Sequence, residues 1–148
     1  MTEVIVREAE PADAARATDL LHQLGYPGNS EDDVRLRLRR WAELPASTVL
    51  VALVDGRVEG LVAVATIPRF ERDGMIGRVV ALVVSERCRG TGTGKRLLRA
   101  AEGYAAERGC DAVEISSSRH RTGAHAFYRA LGYTDRCERS ASFVRTFG

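Results

Sequence analysis

The sequence predicts an α/β protein built on a single mixed, mostly antiparallel, twisted sheet of six to seven strands, with helices on both faces. Three observations carry that expectation. Two apolar, β-branched runs meet at Asp55-Gly56, a strong hairpin signal. A third run, residues 75–84, is too continuously apolar to leave one face in water. Segments with apolar residues at helical spacing precede, separate and follow these runs, and packing them on both sides of the strands buries all the apolar faces.

The elements follow in order. Residues 3–9 alternate around Val4 and Val6 and read as a strand. Pro11 opens a helix at its first turn, where a missing N–H costs little. Ala14, Ala17, Leu21 and Leu24 recur at helical spacing until Gly25. Tyr26-Pro27-Gly28-Asn29 is a turn cluster, and Ser30 reads as the N-cap of a second helix, with Asp33 three residues on. Val34, Leu38 and Trp41 share one face of that helix, which stops before Pro45. Strands are expected over 48–55 and 58–67 and, after the polar break from Arg69 to Gly74, over 75–84. From Gly92 to Arg108 a helix presents Leu97, Leu98, Ala101 and Ala105 to the core, and Gly109 caps it. A short strand covers 111–116, and a helix covers 122–131, with Ala124, Phe127 and Leu131 inward and Gly132 at its end. Two last strands are expected over 133–138 and 141–147. The unit 77–116 reads as a right-handed parallel crossover. No repeat, low-complexity segment or linker interrupts the chain, so 1–148 reads as one domain.

A chain of 148 residues suits one core, and 45% apolar with 28% charged residues separates it from disordered sequences. No stretch approaches a membrane span, and the start lacks the basic and apolar regions of a signal peptide, so the expectation is a cytoplasmic protein with no membrane partner. A net charge of +2, without a basic stripe interleaved with aromatics, argues against a nucleic-acid partner. Cys88, Cys110 and Cys137 are widely and irregularly spaced, which suggests neither a disulfide framework nor a metal site. Arg87 and Arg89 flank Cys88 and would favour its thiolate, although a small residue at a loop entrance is the plainer reading.

The most informative segment is Val84 to Leu98. A buried strand ends, three alternate glycines follow at 90, 92 and 94, and an amphipathic helix begins. Glycines let an oxyanion approach the backbone N–H groups, and a helix start adds unpaired donors and the positive end of its dipole. Arg89 and Lys95 add formal charge nearby. This arrangement suits a pyrophosphate. The nucleotide P-loop pattern fails at Arg89 and Arg96, and the dinucleotide fingerprint fails at Lys95 and Leu97.

What remains is R-x-x-G-x-G, as Arg89, Gly92 and Gly94, and here the chain resembles the GNAT superfamily of acyl-CoA-dependent N-acyltransferases. The extended form R-G-x-G-x-G-K-x-L-L is matched from Arg89 to Leu98, and a second family signature, A-x-x-F-Y-x-x-x-G-F/Y, from Ala124 to Tyr133. The resemblance implies the GNAT fold, acetyl-CoA as co-substrate and no metal. It implies that backbone groups of Leu82, Val83 and Val84 lie along the pantetheine arm, which needs the sheet to splay between residues 78–84 and 111–117. It implies that Arg89, Gly90, Thr91, Gly92, Thr93, Gly94 and Lys95 hold the pyrophosphate. Tyr128 matches the tyrosine that protonates the departing CoA thiolate, a task open to a phenol that stays neutral up to about pH 10.

The base departs from the family pattern. Many members place a glutamate eleven residues before the motif arginine, where this chain has Arg78. Glu114, Asp73, His120 and His125 are the substitutes, and none is needed if the amine arrives neutral. Arg119 and Arg121 are candidates for reading a carboxylate or phosphate on the acceptor. Glu71, Asp73 and Glu114 are candidates for a cationic one, but they form no cluster in the sequence. The implied function is transfer of an acetyl group to a primary amine, of a small molecule, in a ternary complex. Two alternatives stay open: an acyl-CoA sensor without catalysis, and an acetyltransferase acting on protein lysines or N-termini. A homodimer, common in that family, is a further open point.

Overall fold

The computed structural model describes residues 2–117 and 121–148. It divides into two compact units, one ending at Ser116 and one beginning at Ser117.

The first unit carries one five-stranded sheet in the order β1 (Val4–Glu8), β2 (Ser47–Val54), β3 (Arg57–Pro68), β4 (Met75–Val84), β5 (Cys110–Ile115). The first four strands are antiparallel to their neighbours, and β5 is parallel to β4. The β2–β3 connection is the two-residue turn expected at Asp55-Gly56, with φ of 50° and 83°. Positive φ at both positions matches the right-handed twist of the flanking strands.

Helices cover both faces. A 3-10 turn at Pro11–Asp13 leads into α1 (Ala14–Leu24), and α2 spans Glu31–Glu43. Asp13 accepts from the Glu10 N–H at 2.8 Å and from both terminal nitrogens of Arg7, which ties the start of α1 to β1. Ser30 caps α2 by accepting from the Asp33 N–H at 3.1 Å. Ala14, Ala17 and Leu20 of α1 and Val34 and Leu38 of α2 pack with Val51, Leu61 and Val83, which face one another across β2, β3 and β4. The opposite face receives α3 (Thr93–Glu107), whose Leu97, Leu98, Ala101 and Ala105 are fully buried. Two glycines admit that helix: a Cβ on Gly60 would lie 2.8 Å from Leu97 Cδ1, and one on Gly77 would lie 2.9 Å from Ala105 Cβ.

The second unit carries α4 (Thr122–Ala130) and no strand among its described residues. The strands expected over 133–138 and 141–147 are therefore a correction, and the sheet has five strands where six to seven were expected. Four amides of this stretch are used locally. Tyr133 N–H closes the end of α4, Cys137 N–H donates to Asp135 Oδ1 at 2.9 Å, and the Arg139 and Ser140 amides both donate to Arg136 O. An aspartate that accepts from the amide two residues on favours a turn over a ladder. Among the described residues no helix is long and apolar enough to cross a membrane.

Candidate active site

The site begins with an irregularity in β4. Ala63 pairs with Ala81 and Val64 with Val79, so Val80 is an extra residue on β4. Such a bulge bends its strand and increases the local twist. The pairing of β4 with β5 ends at the same place: Val79 opposite Ile115 is the last pair. From Val80 to Val84 the strand is held by β3 on one side, and its other side has no strand partner among the described residues. The opening expected between residues 78–84 and 111–117 is therefore absent at 78 and 79, which stay paired, and the pairing stops from residue 80 on among the described residues. Val80 itself is 55% exposed, against 4% for Val79.

The direction of the free backbone groups follows from one bond. Ser85 N–H donates to Glu59 O at 2.7 Å, one rung beyond the Gly60–Val84 pair. Antiparallel rungs alternate, so Val83 and Ala81 turn their amides and carbonyls to β3, while Leu82 and Val84 turn theirs to the open edge. Arg89 Nε, 3.4 Å from Val84 O, lies on that open side. Of the three strand residues expected to meet the coenzyme, Leu82 and Val84 present backbone groups there. Val83 is a buried core residue whose backbone serves the ladder.

A 3-10 turn at Glu86–Cys88 leads from the strand into the glycine loop. Gly90 and Gly92 adopt φ of 78° and 87°, a region that disfavours side chains, and nothing lies within 4 Å of where either Cβ would be. Backbone conformation rather than crowding calls for glycine here, and the space in front of the loop stays open. The first helical bond of α3 from outside it is Arg96 N–H to Gly92 O at 3.1 Å. Among the described residues no backbone acceptor takes the amides of Gly90, Thr91, Gly92, Thr93, Gly94 and Lys95. The Thr91 hydroxyl bonds Cys88 O and lies 2.9 Å from the Thr93 hydroxyl, which locks the turn from within. Six consecutive unclaimed donors at a helix start are an arrangement that suits an anion, and Arg89, Lys95 and Arg96 around them are exposed.

Beneath the loop lies a residue that the sequence reading passed over. Glu59 of β3 is 2% exposed. Its Oε1 accepts from Arg16 Nη2 at 2.6 Å, with Arg57 Nε 3.6 Å away. Its Oε2 accepts from Arg87 Nε, from Cys88 Sγ at 3.2 Å and from Ser85 Oγ at 3.3 Å. Burial pushes this carboxyl up, but the Arg87 and Cys88 hydrogen bonds, the Arg87 charge and Arg16 together hold it down at about 2. The readable signal was a single acid inside the apolar run from Val58 to Thr66. Cys88, by contrast, is not the activated thiol its flanking arginines suggested. Burial and its hydrogen bond to Glu59 raise its pKa.

The second unit holds Tyr128. Helix α4 ends in a complete Schellman motif: Tyr133 N–H donates to Tyr128 O at 3.0 Å, Gly132 N–H donates to Arg129 O at 3.1 Å, and Gly132 takes φ of 95°. The motif brings the Tyr133 ring to 6.1 Å from that of Tyr128, and Phe127 meets Tyr128 edge-on at 5.6 Å. The G-F/Y ending of the second signature is therefore a cap whose aromatic residue braces the tyrosine. Burial raises the Tyr128 pKa, with Arg121 opposing it, so the phenol stays protonated beyond its ordinary range.

The remaining candidates fall in several places. Arg78, where many family members carry glutamate, is ion-paired at 2.7 Å with Glu114, its register partner on β5. Glu71 and Asp73 are exposed in the β3–β4 connection. The neighbouring Asp111 is held by Arg69 at 2.7 Å, so its charge is already matched. His125 and Arg121 lie at the start of α4. Arg119 and His120 lie outside the described residues.

Comparison with known proteins agrees with this geometry. Residues 15–133 match the acetyltransferase (GNAT) family. The chain is 33% identical over 137 residues to glucosamine 6-phosphate N-acetyltransferase 1 of Oryza sativa subsp. japonica, covering 88% of this chain and 81% of that protein. It is 26% identical over 137 residues to aminoglycoside N(6')-acetyltransferase type 1 of Stenotrophomonas maltophilia, covering 88% and 86%. An aminoglycoside N-acetyltransferase solved in complex with CoA shares the fold, with a TM-score of 0.86 at 17% identity, covering 99% of this chain and 96% of that one. The chain therefore belongs to the acetyltransferase (GNAT) family and is an acyltransferase with acetyl-CoA as its co-substrate.

Proposed function

We propose that this protein moves the acetyl group of acetyl-CoA onto a primary amine of a small molecule by direct attack in a ternary complex. The observation that carries this reading is the open edge of β4 from Val80 to Val84, running into six unclaimed amides from Gly90 to Lys95. An extended amide-bearing arm ending in a pyrophosphate fits that pair of features: edge groups of Leu82 and Val84 for the arm, loop amides for the anion. Val83, in this reading, supports the edge through its packing and its ladder with β3. Small-molecule acceptors are favoured because the two curated relatives are named for glucosamine 6-phosphate and for aminoglycosides.

In this reading the amine nitrogen attacks the thioester carbonyl carbon, and a backbone N–H of the open edge polarises the carbonyl oxygen. The carbon–sulfur bond then breaks and the thiolate takes the proton of the Tyr128 hydroxyl. Burial keeps the Tyr128 phenol protonated at neutral pH, so a proton stands ready on it when the thiolate departs. Arg78 cannot take the amine proton. Glu114 beside it is its register partner on β5; an amine arriving neutral needs no base before attack, and the proton its nitrogen loses afterwards restores the Tyr128 phenol.

The test is free-thiol release from acetyl-CoA against a panel of amino sugars, aminoglycosides, amino acids and short peptides. Release with a small amine above the amine-free background is the expected result. Release with peptides alone would move the assignment to a protein acetyltransferase, and CoA binding without release to any acceptor would favour a sensor. Tyr128→Phe is expected to lower kcat by about 10²–10⁴-fold while CoA still binds, and unchanged turnover would remove Tyr128 from the mechanism. No alkaline loss of activity below pH of about 10 should trace to this residue.

A further inference from the structure

Glu59 stands apart from the groups so far given a role. It is buried and charged, and it lies next to the glycine loop without belonging to it. Its partners are concentrated. Three of its five polar neighbours, Ser85, Arg87 and Cys88, lie in the short run between the end of β4 and the glycine loop. Its backbone carbonyl takes the Ser85 amide as well. The fourth, Arg16, belongs to α1 and also donates from Nε to Val58 O at 3.1 Å, and the fifth, Arg57, opens β3. Gln23 of α1 accepts the Glu86 N–H at 3.0 Å, a second tie between α1 and the same run. On the next residue, Gly60, the missing Cβ lets Leu97 of α3 settle against the sheet. Residues 59 and 60 thus set both ends of the loop: the segment that enters it and the helix that leaves it.

A buried carboxylate is a poor way to gain stability, because an apolar side chain of similar volume packs there at lower cost. It does offer direction, since several donors must meet two oxygens at set positions. We propose that Glu59 is a positioning residue for the pyrophosphate site, holding residues 85–88 so that the amides of 90–95 converge, without touching the coenzyme. The inference rests on reading that loop as the pyrophosphate site.

The molecule supplies its own control. Asp13 is also buried and paired with an arginine, Arg7, but it serves the start of α1 and has no bond to residues 85–95. The experiment compares the full-length wild type with Glu59→Gln, Asp13→Asn and Arg87→Gln. It measures Kd for CoA by calorimetry, melting temperature, and, for an acceptor found in the panel, KM for acetyl-CoA and kcat. Glu59→Gln is expected to raise Kd for CoA and KM for acetyl-CoA about tenfold or more, with kcat at saturation within about twofold. Asp13→Asn is expected to melt earlier and bind CoA as wild type does. Arg87, itself half exposed, can be changed without emptying the core, so Arg87→Gln carries the test if Glu59→Gln does not fold; its expected rise in Kd is about threefold. Wild-type affinity in Glu59→Gln, or in Arg87→Gln where that is the folded variant, overturns the proposal. An equal loss of affinity in Asp13→Asn does so too, since it would reduce the effect to lost stability. A wild type that fails to bind CoA instead overturns the reading of the loop on which the proposal rests.

Discussion

The two halves of β4 are both rich in aliphatic residues and have opposite fates. Met75 to Val79 has β3 on one side and β5 on the other, and α3 lies on Gly77 so closely that Ala105 occupies the place of a Cβ. Val80 to Val84 is apolar throughout, yet among the described residues it keeps only β3. One inserted residue, Val80, separates the halves. The lesson is that hydrophobicity favours a strand, while the ladder decides whether its edge is available. An edge strand inside a sheet is ordinarily a liability, and proteins that retain one give it something to bind.

The comparison can be broken most severely in the closed half. Gly77→Val would force a branched side chain into Ala105 Cβ and to within 3.4 Å of Val113 Cγ2, and it should cost about 3 kcal/mol in chemical denaturation, the upper end of overpacking penalties. A stability close to wild type would mean that α3 does not press on this half as described. Next in size is a pair of substitutions across the bulge. Val79→Thr buries a hydroxyl in an apolar setting and should cost about 1–3 kcal/mol, whereas Val80→Thr, at a half-exposed site, should stay within about 0.5 kcal/mol of wild type. Equal effects would deny that the environment changes at residue 80. The most delicate test uses amide exchange without any mutation. In the free protein the Leu82 and Val84 amides should exchange faster than those of Ala81 and Val83, and saturating CoA should slow the first pair selectively. Exchange at 82 and 84 that ignores bound CoA would remove the open edge from the binding site.

Much of the site was legible because it is local. The run from Arg89 to Leu98 specifies its own turn through glycines at positive φ and its own donors through a helix start, and the structure forms the loop there. The ending Gly132-Tyr133 was visible as a motif, and its physical content is a cap that needs only neighbouring residues. The strands expected over 133–138 and 141–147 failed for the complementary reason. Alternation shows that a segment is able to join a ladder, but Asp135 takes the Cys137 amide within the first segment, and Arg136 O takes the Arg139 and Ser140 amides just before the second. Glu59 and the bulge at Val80 were illegible because each is defined by partners distant in the chain: Arg16 and Arg87 for one, β3 and β5 for the other.

The sequence by itself determined the order of helices and strands through residue 131, the hairpin at Asp55-Gly56 and the glycine turn that opens α3 at residues 90–94. Those features arise from backbone preferences and hydrophobic spacing within about a dozen residues. Only the tertiary structure decided where β4 parts from β5, which of its amides remain free and which buried carboxylate secures the loop. Such outcomes depend on register between strands and on charges brought together from separate elements, and no local pattern encodes either.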